Sequence, residues 1–89
     1  MPQLKIAIVT GASSGIGKEF VKRLDLRGDL DEIWVIARRA DRLAELATLS
    51  STKITPISLD LSDDRADAEI SYILADRHPD VRVLVNAAG

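Results

Sequence analysis

The run TGASSGIG, Thr10 to Gly17, sets three glycines and two serines directly behind an apolar stretch. Side chains at such a turn would hold a ligand away; glycine lets the backbone come close. Ser13 and Ser14 add hydroxyl donors. If a helix opens inside the run, its unpaired N–H groups and positive end attract an anion. The expected chemistry is therefore the cradling of a phosphate or pyrophosphate. Further along, Arg38 and Arg39 form a second group suited to phosphate, because a guanidinium can pair bidentately with it.

Two known phosphate motifs bracket the run. The mononucleotide loop needs G-x-x-x-x-G-K-[ST]. Here the window ending at Gly17-Lys18 begins with Ala12, and Glu19 follows the lysine, so both ends fail. The dinucleotide fingerprint is G-x-G-x-x-G, whereas these glycines are spaced G-x-x-x-G-x-G. A tight strand-to-helix turn that holds no ligand stays open on spacing alone.

The elements that must position these groups follow from periodicity. Residues 4–9 (LKIAIV), 33–37 (IWVIA), 53–59 (KITPISL) and 81–86 (VRVLVN) read as strands. From position 15 to about 27, Ile16, Phe20, Val21 and Leu24 share one helical face, and Gly28-Asp29 stop the helix. A second helix is expected from Asp41, carrying Leu43, Leu46, Ala47 and Leu49. A third is expected over Ser62–Arg77, with Asp63 and Asp64 at its start and Arg77 and His78 at its end, as the helix dipole favours. The order βαβαβαβ implies an α/β fold of the Rossmann type: a doubly wound parallel sheet, strand order 3-2-1-4. Pro56 cannot donate to a ladder and belongs on an edge strand, which the third strand is in that order. The fourth strand is then the other edge. It is poor in charge and proline for an exposed edge, and pairing with another copy of the chain is the expectation it raises.

Composition bounds the function. The 89 residues make one small domain, or part of a larger one, with an aliphatic core, since there are only three aromatic residues. A net charge of −2 argues against nucleic-acid binding driven by bulk charge. No cysteine and a single histidine argue against disulfides and a zinc site. No apolar run approaches the ~20 residues that span a bilayer, and no signal peptide is visible. A soluble, cytoplasmic protein is expected, with no membrane partner. Trp34 is expected to pack inside its strand, Tyr72 to be partly buried, and His78 to serve the helix end.

TGASSGIG together with the later NAAG resembles the short-chain dehydrogenase/reductase family, and the resemblance runs over the whole chain as that family's first four strands. The resemblance implies that Gly11, Ser13, Ser14, Gly15, Ile16 and Gly17 wrap a cofactor pyrophosphate. It also implies that Asn86-Ala87-Ala88-Gly89 closes over the adenosine ribose. The family has asparagine where this chain has Ala87. Asp60 is implied to accept from the adenine amino group and the Leu61 N–H to donate to the ring. The competing reading is that Asp60 and Ser62 only organise the turn and cap the next helix.

In Rossmann-type sites an acidic residue about 20 positions after the glycines accepts from the NAD ribose, and an arginine accommodates the NADP phosphate. Here that stretch reads Ala37-Arg38-Arg39, with no carboxylate before Asp41. The expectation is NADP(H) in preference to NAD(H). The family's chemistry is hydride transfer between nicotinamide and a small carbonyl or alcohol, using a tyrosine with a lysine four residues later. The only tyrosine here is Tyr72, followed at that spacing by Asp76. No catalytic residue is assigned. The chain is expected to be the N-terminal, cofactor-binding portion of an oxidoreductase, inactive by itself. A non-catalytic NADP sensor and a ligand-free interaction module are the alternatives.

Overall fold

The computed structural model describes residues 3–11, 15–38, 50–60 and 64–86. It contains four strands: β1 (Lys5–Thr10), β2 (Glu32–Ala37), β3 (Lys53–Ser58) and β4 (Asp80–Asn86). Two helices accompany them, α1 (Gly15–Arg27) and α2 (Ala66–Arg77). All pairings are parallel and the sheet order is β3-β2-β1-β4, as expected. The helix expected from Asp41 lies outside the described residues.

The unbroken apolar runs of β1 and β2 suit strands covered on both faces. On one face Ala7, Val9, Ile33, Val35 and Ala37 pack with Val21 and Leu24 of α1. On the other Ile6, Ile8, Trp34 and Ile36 pack with Ile70, Ile73 and Leu74 of α2. Each large aliphatic buried this way contributes about 1.5–3 kcal/mol.

The edges differ. Pro56 sits on the outermost strand opposite Val35, so its missing donor costs no ladder bond. At the other edge Val81 and Leu84 are 42% and 68% exposed. The register shifts between Ile6 and Ala7, which pair with Val81 and Val83, leaving Arg82 as an extra residue. Its Nε lies 2.8 Å from the Asp80 carboxylate.

Four sequence expectations need correction or refinement. Tyr72 is 74% exposed, not partly buried: the stripe of α2 that meets the sheet is Ala66, Ile70, Ile73 and Leu74, and Tyr72 falls outside it. Helix α2 begins at Ala66 rather than Ser62, with Arg65 before it and no side-chain cap bond. Ser62 and Asp63 lie outside the described residues. His78 closes α2 through its backbone, in the left-handed region at φ 46°, donating its N–H to the Leu74 carbonyl at 2.9 Å. Phe20, assigned to the packed face of α1, stays substantially exposed at its margin.

Polar groups tie the amino ends of the strands together. Glu32 is buried; its Oε1 accepts from the Thr55 hydroxyl at 2.5 Å and from Trp34 Nε1 at 3.3 Å. Arg77 of α2 lies 3.4 Å from Oε2 and stacks its guanidinium 5.3 Å from the Trp34 ring centroid. On the α1 side Asp25 accepts from the N–H groups of Thr52 at 2.7 Å and Ser51 at 3.2 Å. Hydrogen bonds from the Thr52 backbone, the Thr52 side chain and the Ser51 backbone hold its carboxyl below the usual range. Removing Glu32 orphans several groups at once. Glu32→Ala is expected to lower stability by about 2–3 kcal/mol. Glu32→Gln, which keeps an acceptor, should cost about 1 kcal/mol. Urea unfolding followed by the fluorescence of Trp34 measures both.

Candidate functional site

Gly11 follows β1 at φ 70°, a left-handed conformation open to glycine and costly to other residues. Its N–H donates to the Ile36 carbonyl at 2.9 Å, fastening the turn to β2. Helix α1 then opens at Gly15, where a Cβ would meet nothing within 4 Å. Packing among the described residues therefore does not require glycine there. The first turn of α1 holds no acidic residue to repel an anion. Gly17 is buried. A depression of about 430 Å³ beside the turn is lined by Gly15, Glu19, Phe20 and Arg23. Ser13 and Ser14 lie outside the described residues, as does the side chain of Ile16.

The other expected groups gather at the same end of the sheet. Asn86 ends β4, and the Thr10 hydroxyl donates to its Oδ1 at 2.9 Å, with the Val85 carbonyl at 3.4 Å. Arg38 follows β2 and Asp60 follows β3; Arg38 Nε lies 3.8 Å from Asp60 Oδ2. The two chain ends are held side by side. Leu59 N–H donates to the Ala37 carbonyl at 3.0 Å, and the Ser58 hydroxyl to the Arg38 carbonyl at 3.1 Å. The nearest described helix start is Ala66, with Arg65 at its cap position and no side-chain cap bond. Arg39, Leu61, Ala87, Ala88 and Gly89 lie outside the described residues.

Thr10 had no role assigned from sequence. The signal was available: it is the last residue of β1 and stands opposite Asn86 in the parallel register. Tyr72 lies midway along α2, away from the strand ends. Among the described residues no cluster of three or more metal-ligating side chains occurs, and no helix is long and apolar enough to cross a membrane.

A glycine turn, a clear helix start and polar groups at the carboxyl ends of parallel strands form the general arrangement that binds dinucleotides. The family model of the short chain dehydrogenases matches residues 5–89, nearly the whole chain. The chain belongs to the short-chain dehydrogenase family. It is 40% identical over 88 residues to an NADPH-dependent 1-acyldihydroxyacetone phosphate reductase of Saccharomyces cerevisiae, covering 96% of this chain and 29% of that protein. A short-chain dehydrogenase from Sphingobium yanoikuyae in complex with NADPH superposes with a TM-score of 0.76 at 30% identity. That match covers 97% of this chain and 34% of the other. A 4-hydroxyisoleucine dehydrogenase complexed with NADH superposes with a TM-score of 0.77 at 25% identity, covering 96% of this chain and 34% of the other. The chain spans about a third of the length of the curated relatives it matches.

A substitution at Gly15 tests folding and binding separately. Gly15→Ala is expected to change stability by less than about 1 kcal/mol, because the added methyl meets open space. It should weaken dinucleotide binding about tenfold, the equivalent of one charge-assisted hydrogen bond lost at the helix start. Thermal unfolding and calorimetric titration of the same sample check the two halves.

Proposed function

We propose that this chain binds NADP(H), in preference to NAD(H), for an oxidoreductase that interconverts small carbonyls and alcohols. The observation that carries the reading is the convergence of the glycine turn and Arg38 at the carboxyl ends of neighbouring strands. The N–H groups of the 11–17 segment would hold the pyrophosphate. Asn86, steadied by Thr10, would hold the ribose side, and Asp60 the adenine. Nicotinamide, when bound, supplies the hydride chemistry. The residues of this chain supply the anchoring and orientation.

Selection of the phosphorylated cofactor rests on Ala37 and Arg38. A carboxylate at 37 would repel a 2′-phosphate; alanine does not. Arg38 is 77% exposed at its side chain, so its guanidinium is accessible to a ligand. The NADPH dependence of the yeast relative and the NADPH complex of the Sphingobium structure support this choice. The NADH complex of a similar fold means that local residues, not the fold, decide it. These 89 residues hold no tyrosine–lysine pair at four-residue spacing, so binding rather than catalysis is the proposed role of the chain alone. The cytoplasm is the proposed location.

The open edge of β4 is proposed to pair with a second copy. Asp80 and Arg82 neutralise each other within the strand, so two such edges meet without net repulsion, and Leu84 gains cover.

Two outcomes are expected. Fluorescence or calorimetric titration should show NADPH binding more tightly than NADH, and Arg38→Asp should weaken NADPH by about 10- to 100-fold while sparing NADH. Equal affinity for both cofactors, or an unaffected Arg38→Asp variant, would refute the selection. Sedimentation should show a concentration-dependent dimer that Leu84→Lys converts to monomer; a wild-type monomer at all concentrations removes the edge-pairing proposal.

A further inference from the structure

We propose that Asp60 sets the selectivity of the site by competing with a 2′-phosphate for Arg38. This deepens the NADP(H) reading and rests on it. Arg38 Nε and Asp60 Oδ2 stand 3.8 Å apart, too far for a hydrogen bond but close enough for strong attraction. The side chains are 77% and 44% exposed, so neither is packed into place. Their proximity is nonetheless built in. Ala37 and Ser58 are register partners in parallel strands, and the bonds from Leu59 to Ala37 and from Ser58 to Arg38 fix the following residues side by side. Asp60 therefore stays beside Arg38 as a ligand arrives.

The consequence depends on what the ribose carries. A 2′-phosphate must draw Arg38 away from Asp60 and then sit near a carboxylate of its own sign. A 2′-hydroxyl meets neither cost. The carboxylate of Asp60 thus narrows the advantage that Arg38 gives the phosphorylated ligand. An exposed ion pair of this kind is worth a factor of about 1.5 to 5 in an equilibrium constant. Asparagine at position 60 keeps the size and an acceptor oxygen while removing the charge.

The test uses 2′,5′-ADP and 5′-AMP as probes, titrated calorimetrically at one fixed ionic strength. The intact chain, Asp60→Asn, Arg38→Ala and the double variant are compared. The ratio of the two affinities is the readout, and Trp34 fluorescence reports that each variant is folded. Asp60→Asn should raise the preference for 2′,5′-ADP about two- to fivefold, and should raise it less when Arg38 is already alanine. An unchanged or lowered preference in Asp60→Asn overturns the proposal. So does an equal rise in the Arg38→Ala background, which would indicate plain repulsion with no competition. If the wild type shows no preference for 2′,5′-ADP, or Arg38→Ala leaves that preference intact, the NADP(H) reading itself fails and takes this inference with it.

Discussion

Both faces of β1 and β2 must be covered by apolar side chains, and the rest of the structure follows from that requirement. Ile6 to Val9 and Ile33 to Ala37 are buried without a break, so one helix on one face is not enough. Parallel strands reached by right-handed crossovers meet the requirement by placing α1 on one face and α2 on the other. The chain therefore leaves β1 toward β2 on one side and enters β4 on the other. In sheets of this kind dinucleotides bind beyond the carboxyl ends of the strands, at the point where the strand order reverses, which here lies between β1 and β4. Thr10 and Asn86 face each other across that point.

The two ends of the sheet are built differently, and the difference suits their tasks. At the amino ends the polar groups are joined in short bonds. Lys5 N–H donates to Asp31 Oδ2 at 2.8 Å, Asp31 N–H returns a bond to the Lys5 carbonyl at 2.7 Å, and Asp80 N–H donates to the Leu4 carbonyl at 2.7 Å. Glu32 joins Thr55, Trp34 and Arg77 into a buried cluster that pins the end of α2 to β2 and β3. A network of this sort is stabilising only when each member is satisfied, and no buried side-chain donor or acceptor among the described residues lacks a partner. At the carboxyl ends the groups are exposed and more loosely held, as the 3.8 Å ion pair of Arg38 and Asp60 shows.

Strand positions, the extent of α1 and the strand order were legible because they rest on local signals. Runs of Ile and Val marked the strands, Gly28 marked the end of α1, and Pro56 marked an edge. The placement of Arg38 and Asp60 at one end of the sheet was also legible, as the residues that follow successive parallel strands. Their contact was not, since it depends on the register of β2 against β3. Glu32 went unnoticed for a similar reason. An acidic residue at a strand start reads as solvated, and only the arrival of Arg77, 45 positions later, makes burial tolerable. Tyr72 was misplaced because the apolar residues around it on α2 suggested a wider buried stripe than the sheet accepts. The family resemblance, by contrast, was carried by two short local motifs, TGASSGIG and NAAG.

The requirement that governs the centre of the sheet is only half met at β4. Val83 and Val85 lean on the core shared with α1 and are partly covered. Leu84 stands opposite Ile8 in the register, on the α2 side of the sheet, and remains open. Phe20, at the margin of α1, is likewise uncovered. At the opposite edge, Pro56 and alternating exposure along β3 blunt further pairing. At β4 the Arg82 bulge and its Asp80 ion pair disturb only the start of the strand, leaving Val83 to Asn86 regular against β1. A parallel strand with apolar residues on both faces gains stability from a neighbour. Among the described residues the two edges are therefore unlike, β3 carrying Pro56 and β4 carrying exposed Val81 and Leu84, with Thr10 and Asn86 on the β4 side.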